Sequence, residues 1–192
     1  GVSFALAQAN RATTASRTET DLLPSFSLLA SPLDNVRLYA RYQEGFRPGG
    51  LAVDGSFVRR FHNDQVRTWE AGMRLGDKGR GLVDASFSVS HTRWRNIQAD
   101  FIDSNGFPTT ANIGDGRITS VSGAVAIRPT PVLTFDLGAV YNHSRVDDLS
   151  PQILPVFDLA PARLGRIPNV ASHAVRGSVT YATVVGDEDF RV

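Results

Sequence analysis

The chain has 192 residues, 20% of them charged, a formal net charge of +1 and no cysteine. That near-neutral balance gives no reason to expect nucleic acid as a partner. The missing thiols exclude disulfide staples, thiolate metal sites and thiol catalysis, and no apolar run approaches the roughly 18 residues of a transmembrane helix.

In chain order the recurring pattern is two-residue alternation, the mark of strands with two different faces, rather than a helical stripe. Val2, Phe4 and Leu6 open it, and Phe26, Leu28 and Ala30 continue it. After the turn-forming Ser31-Pro32-Leu33-Asp34-Asn35, Val36, Leu38, Ala40 and Tyr42 alternate with Arg37, Tyr39, Arg41 and Gln43. Trp69, Ala71, Met73 and Leu75 alternate with Thr68, Glu70, Gly72 and Arg74. From Leu82 to Ile102 one parity reads Val83, Ala85, Phe87, Val89, His91, Arg93, Arg95, Ile97, Ala99 and Phe101, the other Asp84, Ser86, Ser88, Ser90, Thr92, Trp94, Asn96, Gln98 and Asp100. Val121 to Ile127, Leu133 to Tyr141 and Val175 to Tyr181 repeat the pattern, which predicts about eight strands.

The 82–102 strand is long enough to be diagnostic. About 20 residues at roughly 3.3 Å each, tilted about 40°, climb on the order of 50 Å, about twice the apolar band of an outer-membrane barrel. One parity is oily at its lower end and the other is polar throughout, as in a barrel wall between lipid and a wet lumen. The connections alternate too. Those at 32–35, 76–81, 129–131 and 186–189 are short; those at 47–64, 103–115 and 147–169 are long and rich in Gly, Pro and Asn. Short periplasmic turns and long extracellular loops are the outer-membrane arrangement. His91, Arg93 and Arg95 follow the oily stretch on its own parity, where they face either lipid phosphates or water.

Several segments resemble the β-barrel of TonB-dependent outer-membrane receptors: Tyr42-Gln43-Glu44-Gly45-Phe46-Arg47-Pro48-Gly49-Gly50, Thr68-Trp69-Glu70-Ala71-Gly72-Met73-Arg74, Trp94 to Asp100, and Asn112-Ile113-Gly114-Asp115-Gly116-Arg117-Ile118. The resemblance spans roughly Pro24 to Tyr181 and makes the whole chain, 1–192, part of one barrel domain of about 22 strands. The plug domain and C-terminal strands are not in it, and a chain that starts at Gly1 without a leader reads as a piece of something longer. The resemblance implies an all-β, antiparallel up-and-down transmembrane barrel in the outer membrane of a Gram-negative bacterium. It implies energised uptake of a bulky scarce nutrient, foremost a ferric siderophore, otherwise cobalamin or a carbohydrate. The implied partners are outer-membrane lipid and lipopolysaccharide, the TonB complex acting through the plug, and the ligand itself. The rival readings are a passive porin, a small adhesin or anchor barrel, an outer-membrane enzyme, and a soluble β-sandwich.

Candidate ligand-facing residues lie on the inward parity near the upper rim or in the first long loop: Arg41, Gln43, Arg47, Arg59, Arg60, His62, Trp94, Gln98 and Asp100, together with Tyr39. Arginines there suit an anionic ferric complex; equally, Arg41, Glu70 and Arg74 can satisfy each other as a cross-strand charge ladder. Glu44 to Pro48 reads as a structural strand end, with Phe46 in an aromatic girdle. No catalytic or metal site is expected. The four histidines stand far apart, the glycine-rich 76–81 turn lacks the Gly-Lys-Ser/Thr ending of a phosphate loop, and no nucleophile elbow surrounds a serine. No cofactor is expected either.

Overall fold

The structure is a computed structural model that describes residues 20–54, 57–76, 81–102, 106, 108–150, 165–185 and 188–191. The strand expected at Val2 to Leu6 lies outside these residues. Ten strands follow one another: β1 Ser25–Leu33, β2 Val36–Arg47, β3 Gly50–Asp54, β4 Phe57–Phe61, β5 Asp64–Leu75, β6 Val83–Ile102, β7 Pro108–Thr130, β8 Leu133–Leu149, β9 His173–Val185 and β10 Glu188–Arg191. Eight form one sheet in the order β1-β2-β5-β6-β7-β8-β9-β10, and β3 with β4 makes a separate hairpin. Every pairing is antiparallel.

Two expectations about the long connections change. The 47–64 loop contains the β3–β4 hairpin, and most of the 103–115 loop is strand, because β7 begins at Pro108. Arg59 and Arg60 therefore sit in β4, opposite Ala52 and Leu51.

The register lines up one face of the sheet in horizontal rows. Val36, Leu75, Ala85, Val125 and Leu137 make one row; Leu38, Met73, Phe87, Gly123, Ala139 and Val175 the next; Ala40, Ala71, Val89, Val121, Tyr141 and His173 the third. These side chains are uncovered. Phe87 is 47% exposed, Leu137 55% and Val175 74%, and no second sheet or helix of the described residues packs on them. A sandwich would have buried this face in its core. An apolar face this broad belongs against hydrocarbon or a partner.

Above the apolar rows comes an aromatic one. Tyr42 and Trp69 have ring centroids 5.4 Å apart, Trp69 and His91 6.3 Å, and Phe26 stacks on Tyr42 at 6.4 Å. The opposite face is polar along the same height: Thr68 and Thr92 hydroxyls meet at 2.9 Å, Ser88 and Ser122 at 2.8 Å, and Arg41 bonds Glu70 at 3.1 Å. Gly72 is required here because an added Cβ would lie 2.6 Å from the Tyr39 ring that covers it.

The strict alternation of β6 ends at Asn96. This residue has a φ of 50°, and the register shifts between Trp94 and Ile97 and again between Ile97 and Gln98. A bulge inserts a residue and turns the following side chains to the other face. Ile97 and Ala99, expected on the outward parity, instead pack with inward Trp94, and Gln98 and Asp100 take the parity opposite to the expected one. The result is the principal core of the described residues: Ile97, Ala111, Ile113, Val146 and Ile167, the last on the returning 165–172 segment. Gly114 completes the kink with a φ of 135°, where an added Cβ would collide with the Asp148 carbonyl.

Candidate functional site

The polar face is a continuous wall, and two stretches of it concentrate charge. The lower stretch is an open groove of about 750 Å³ whose walls include Arg37, Arg74, Asp84, Arg128, Asp136 and Arg176. Its floor is small residues, Ala124, Ala126, Gly138 and Ser178, which keep the wall low. Arg128 donates to Asp84 at 2.5 Å, while Arg37 and Arg74 stand opposite one another in the ladder.

The upper stretch sits where β2 ends and β5 begins. Asp64 is 1% exposed, the largest buried charged side chain of the described residues. A carboxylate is tolerated at that burial only when its lone pairs are taken. Here the Arg47 guanidinium donates through Nε at 2.9 Å, the Trp94 indole N–H at 3.0 Å and the Gln98 backbone N–H at 3.3 Å. Arg47 also lies over the Trp94 ring at 5.4 Å and donates to the Gln98 carbonyl at 3.0 Å. The hydrogen bond that Arg47 donates to Asp64 raises the guanidinium above its already high ordinary value.

The same cluster fastens the loop hairpin. The Gln98 side-chain amide donates to the Pro48 and His62 carbonyls, each at 3.0 Å. Asn112 accepts from the His62 backbone N–H at 2.6 Å and donates to the His62 carbonyl at 2.9 Å. Both ends of the 48–63 loop are thus held to β6 and β7, although β3 and β4 belong to a different sheet.

Of the residues proposed from sequence, Arg47, Trp94 and Gln98 come together in this clasp. Arg41 is committed to Glu70, as the charge-ladder reading has it. Gln43 is exposed at the height of Thr68, and Arg60 and His62 are exposed on the loop. Asp100 accepts a hydrogen bond from the Thr110 hydroxyl at 2.6 Å. The Arg59 side chain lies outside the described residues. Of the two residues that organise the clasp, Asp64 carries no sequence signal stronger than a polar residue at a strand end, and Asn112 stands out only as part of the family-like 112–118 segment. No group of three or more His, Asp or Glu residues able to hold a metal exists among the described residues.

A tall antiparallel wall, bare and apolar on one face and hydrogen-bonded and polar on the other, defines a piece of a transmembrane β-barrel. Residues 3–191 match the family described as TonB dependent receptor-like, beta-barrel, and the chain belongs to that family. No curated protein matches the sequence. Among solved structures, the chain is similar to the ferric yersiniabactin uptake receptor of Yersinia pestis, with a TM-score of 0.66 and 18% identity, covering 88% of this chain and 24% of that one. It is also similar to the FrpB iron transporter of Neisseria meningitidis, with a TM-score of 0.57, 18% identity and coverage of 85% and 24%. The ferric preacinetobactin receptor of Acinetobacter baumannii gives 0.57, 16%, 88% and 24%. At these identities the likeness establishes the fold. The chain spans about a quarter of the length of each receptor, and among the described residues its sheet is open, with β1 and β10 at its two edges.

Proposed function

We propose that the chain forms part of the wall of an outer-membrane receptor that imports a scarce, bulky nutrient, with a ferric siderophore as the cargo and the TonB complex as the source of energy. Family membership carries this reading. The descriptions of the similar structures as siderophore and iron receptors favour iron over the other cargoes. In this role Arg41, Gln43, Arg60 and His62 border the path of the ligand. Arg47, Trp94 and Gln98 hold the loop that borders it, and so act as positioning residues.

The decisive experiment is uptake by iron-starved cells that produce or lack the full-length protein, supplied with radiolabelled ferric siderophores. Accumulation that needs the protein and stops when the proton gradient is collapsed supports the reading. Accumulation that survives the loss of the gradient makes the protein a passive pore.

A further inference from the structure

The register places four arginines side by side on the apolar face, immediately above the aromatic row. Arg67 of β5 pairs with Arg93 of β6, Arg93 with Arg117 of β7, and Arg117 with Arg145 of β8. Neighbouring strands are about 4.8 Å apart, so the four Cα atoms span only about 14 Å. Like charges directly opposite one another in a sheet are destabilising. Such a row persists where anions come to it.

Protein carboxylates answer part of this charge. Glu44 accepts from Arg67 at 3.2 Å, and Asp147 is shared by Arg117 at 3.1 Å and Arg145 at 3.7 Å. Arg93 has no carboxylate partner among the described residues and lies over the Trp69 ring at 5.7 Å. With Arg67 and Arg95 it rims a pocket of about 120 Å³ whose other walls are Tyr42, Gln65 and Trp69. Height decides what this row meets. It stands four residues above Val89, the last apolar side chain on the outward face of β6 below the bulge, which is about 10 Å along a strand tilted by about 40°. That is the level of lipid head groups, where guanidinium pairs bidentately with phosphate.

We infer that Arg67, Arg93, Arg117 and Arg145 bind the phosphates of the lipopolysaccharide that surrounds the barrel, with the Arg67–Arg93–Arg95 pocket seating one phosphate over Trp69. The inference rests on the outer-membrane reading above but not on any cargo. A lipid fits better than a free anion because the arginines continue an apolar face: one molecule can lay acyl chains on Leu38, Met73 and Phe87 and phosphates on the row.

The test uses the full-length protein extracted from its own outer membrane in mild detergent, with retained lipopolysaccharide counted per protein by native mass spectrometry. In R93Q/R117Q the retained lipid should fall about tenfold or more, with R93K/R117K intermediate and the polar-face variant R37Q unchanged. Heat-dependent electrophoretic mobility confirms that each variant is folded; if the double glutamine variant is not, R93Q alone should show about a threefold fall. Delipidated protein in vesicles should retain bis-phosphorylated lipid A over its dephosphorylated form, and inorganic phosphate at equal concentration should not displace it. Equal retention by folded R93Q/R117Q and the parent overturns the proposal, as does equal binding of dephosphorylated lipid A or full displacement by inorganic phosphate. Energised uptake in the same strains, measured separately, leaves the receptor reading intact in any of those cases.

Discussion

The lower half of this wall and its upper extension are built from the same strands under different rules. Between Val36 and Val89 the registers run without a break across β2, β5, β6 and β7, and the apolar residues stay on one face. Above Trp94 the same β6 bulges, its side chains change faces, and a buried cluster forms around Ile97 and Ile113. The difference follows from the surroundings. A one-residue slip beside hydrocarbon would turn Asp84, Ser86 and Ser88 to lipid and Phe87 to water, so register there is strongly specified. Beyond the membrane both faces meet water or protein, and a slip that buries Ile97 against Ile167 is favourable. The regular band is a boundary between two solvents, while the extension behaves like a small soluble domain with its own core.

Substitutions can break that contrast in either half. The largest effect is expected from Gly114→Val, which combines a φ of 135° with a collision at Asp148. It should destabilise the extension by about 4 kcal/mol or more, seen as rapid proteolysis of the upper loops in the full-length protein. Gly123→Ala in the band, whose Cβ would meet only the Ser86 carbonyl at 3.7 Å, should leave cleavage unchanged. Similar cleavage in both would mean that the two halves do not differ.

Phe87→Arg tests the band directly. It should cost about 2–4 kcal/mol of folding into vesicles, as arginine does at the midplane of a barrel's lipid face. Ser88→Arg, one residue on and on the polar face, should cost far less. If the two folded equally well, the assignment of faces would be wrong.

Asp64→Asn sharpens the picture of the extension. The amide keeps the shape but not the charge that Arg47 meets. With Arg47 half-exposed, the loss should be about 1–2 kcal/mol, confined to protease sensitivity in the 48–63 loop. Global unfolding as the first effect would make Asp64 a core residue rather than a clasp. The smallest effect belongs to Arg41→Gln on the polar wall. Its exposed pair with Glu70 is worth below about 0.5 kcal/mol, so a stability change much beyond that would mean Arg41 has a further role in the wall.

Much of the band was legible in the residues because lipid and lumen impose opposite chemistry on successive positions. Leu38, Met73, Phe87 and Val175 announce one face, and Arg37, Thr68, Ser86 and Ser88 the other. The extension was harder to read for physical reasons. Asn96 looks like one more polar residue in an alternating run, and only its tolerance of positive φ, with Gly114 opposite the kink, hints at a bulge. Consequently Gln98 and Asp100 were expected on the wrong parity. The β3–β4 hairpin was hidden by Pro48 and the glycines around it, which read as loop. Asp64 gave no sign of its burial, because its partners come from two other strands, Arg47 from β2 and Trp94 and Gln98 from β6, which only the sheet order brings together. Of the candidate ligand residues, those on regular strand, such as Arg41, could be placed by counting; those past the bulge could not.

The placement of the two tryptophans gives the wall built-in reporters. Trp69 sits on the apolar face among Tyr42 and His91 and is 42% exposed, while Trp94 is tied to Asp64 on the other side of the sheet. Brominated acyl chains should dim emission from the first and spare the second, whereas a ligand settling at the rim should perturb the second alone. Cargo occupancy and lipid immersion would then be separable optical signals from residues 25 positions apart in one hairpin.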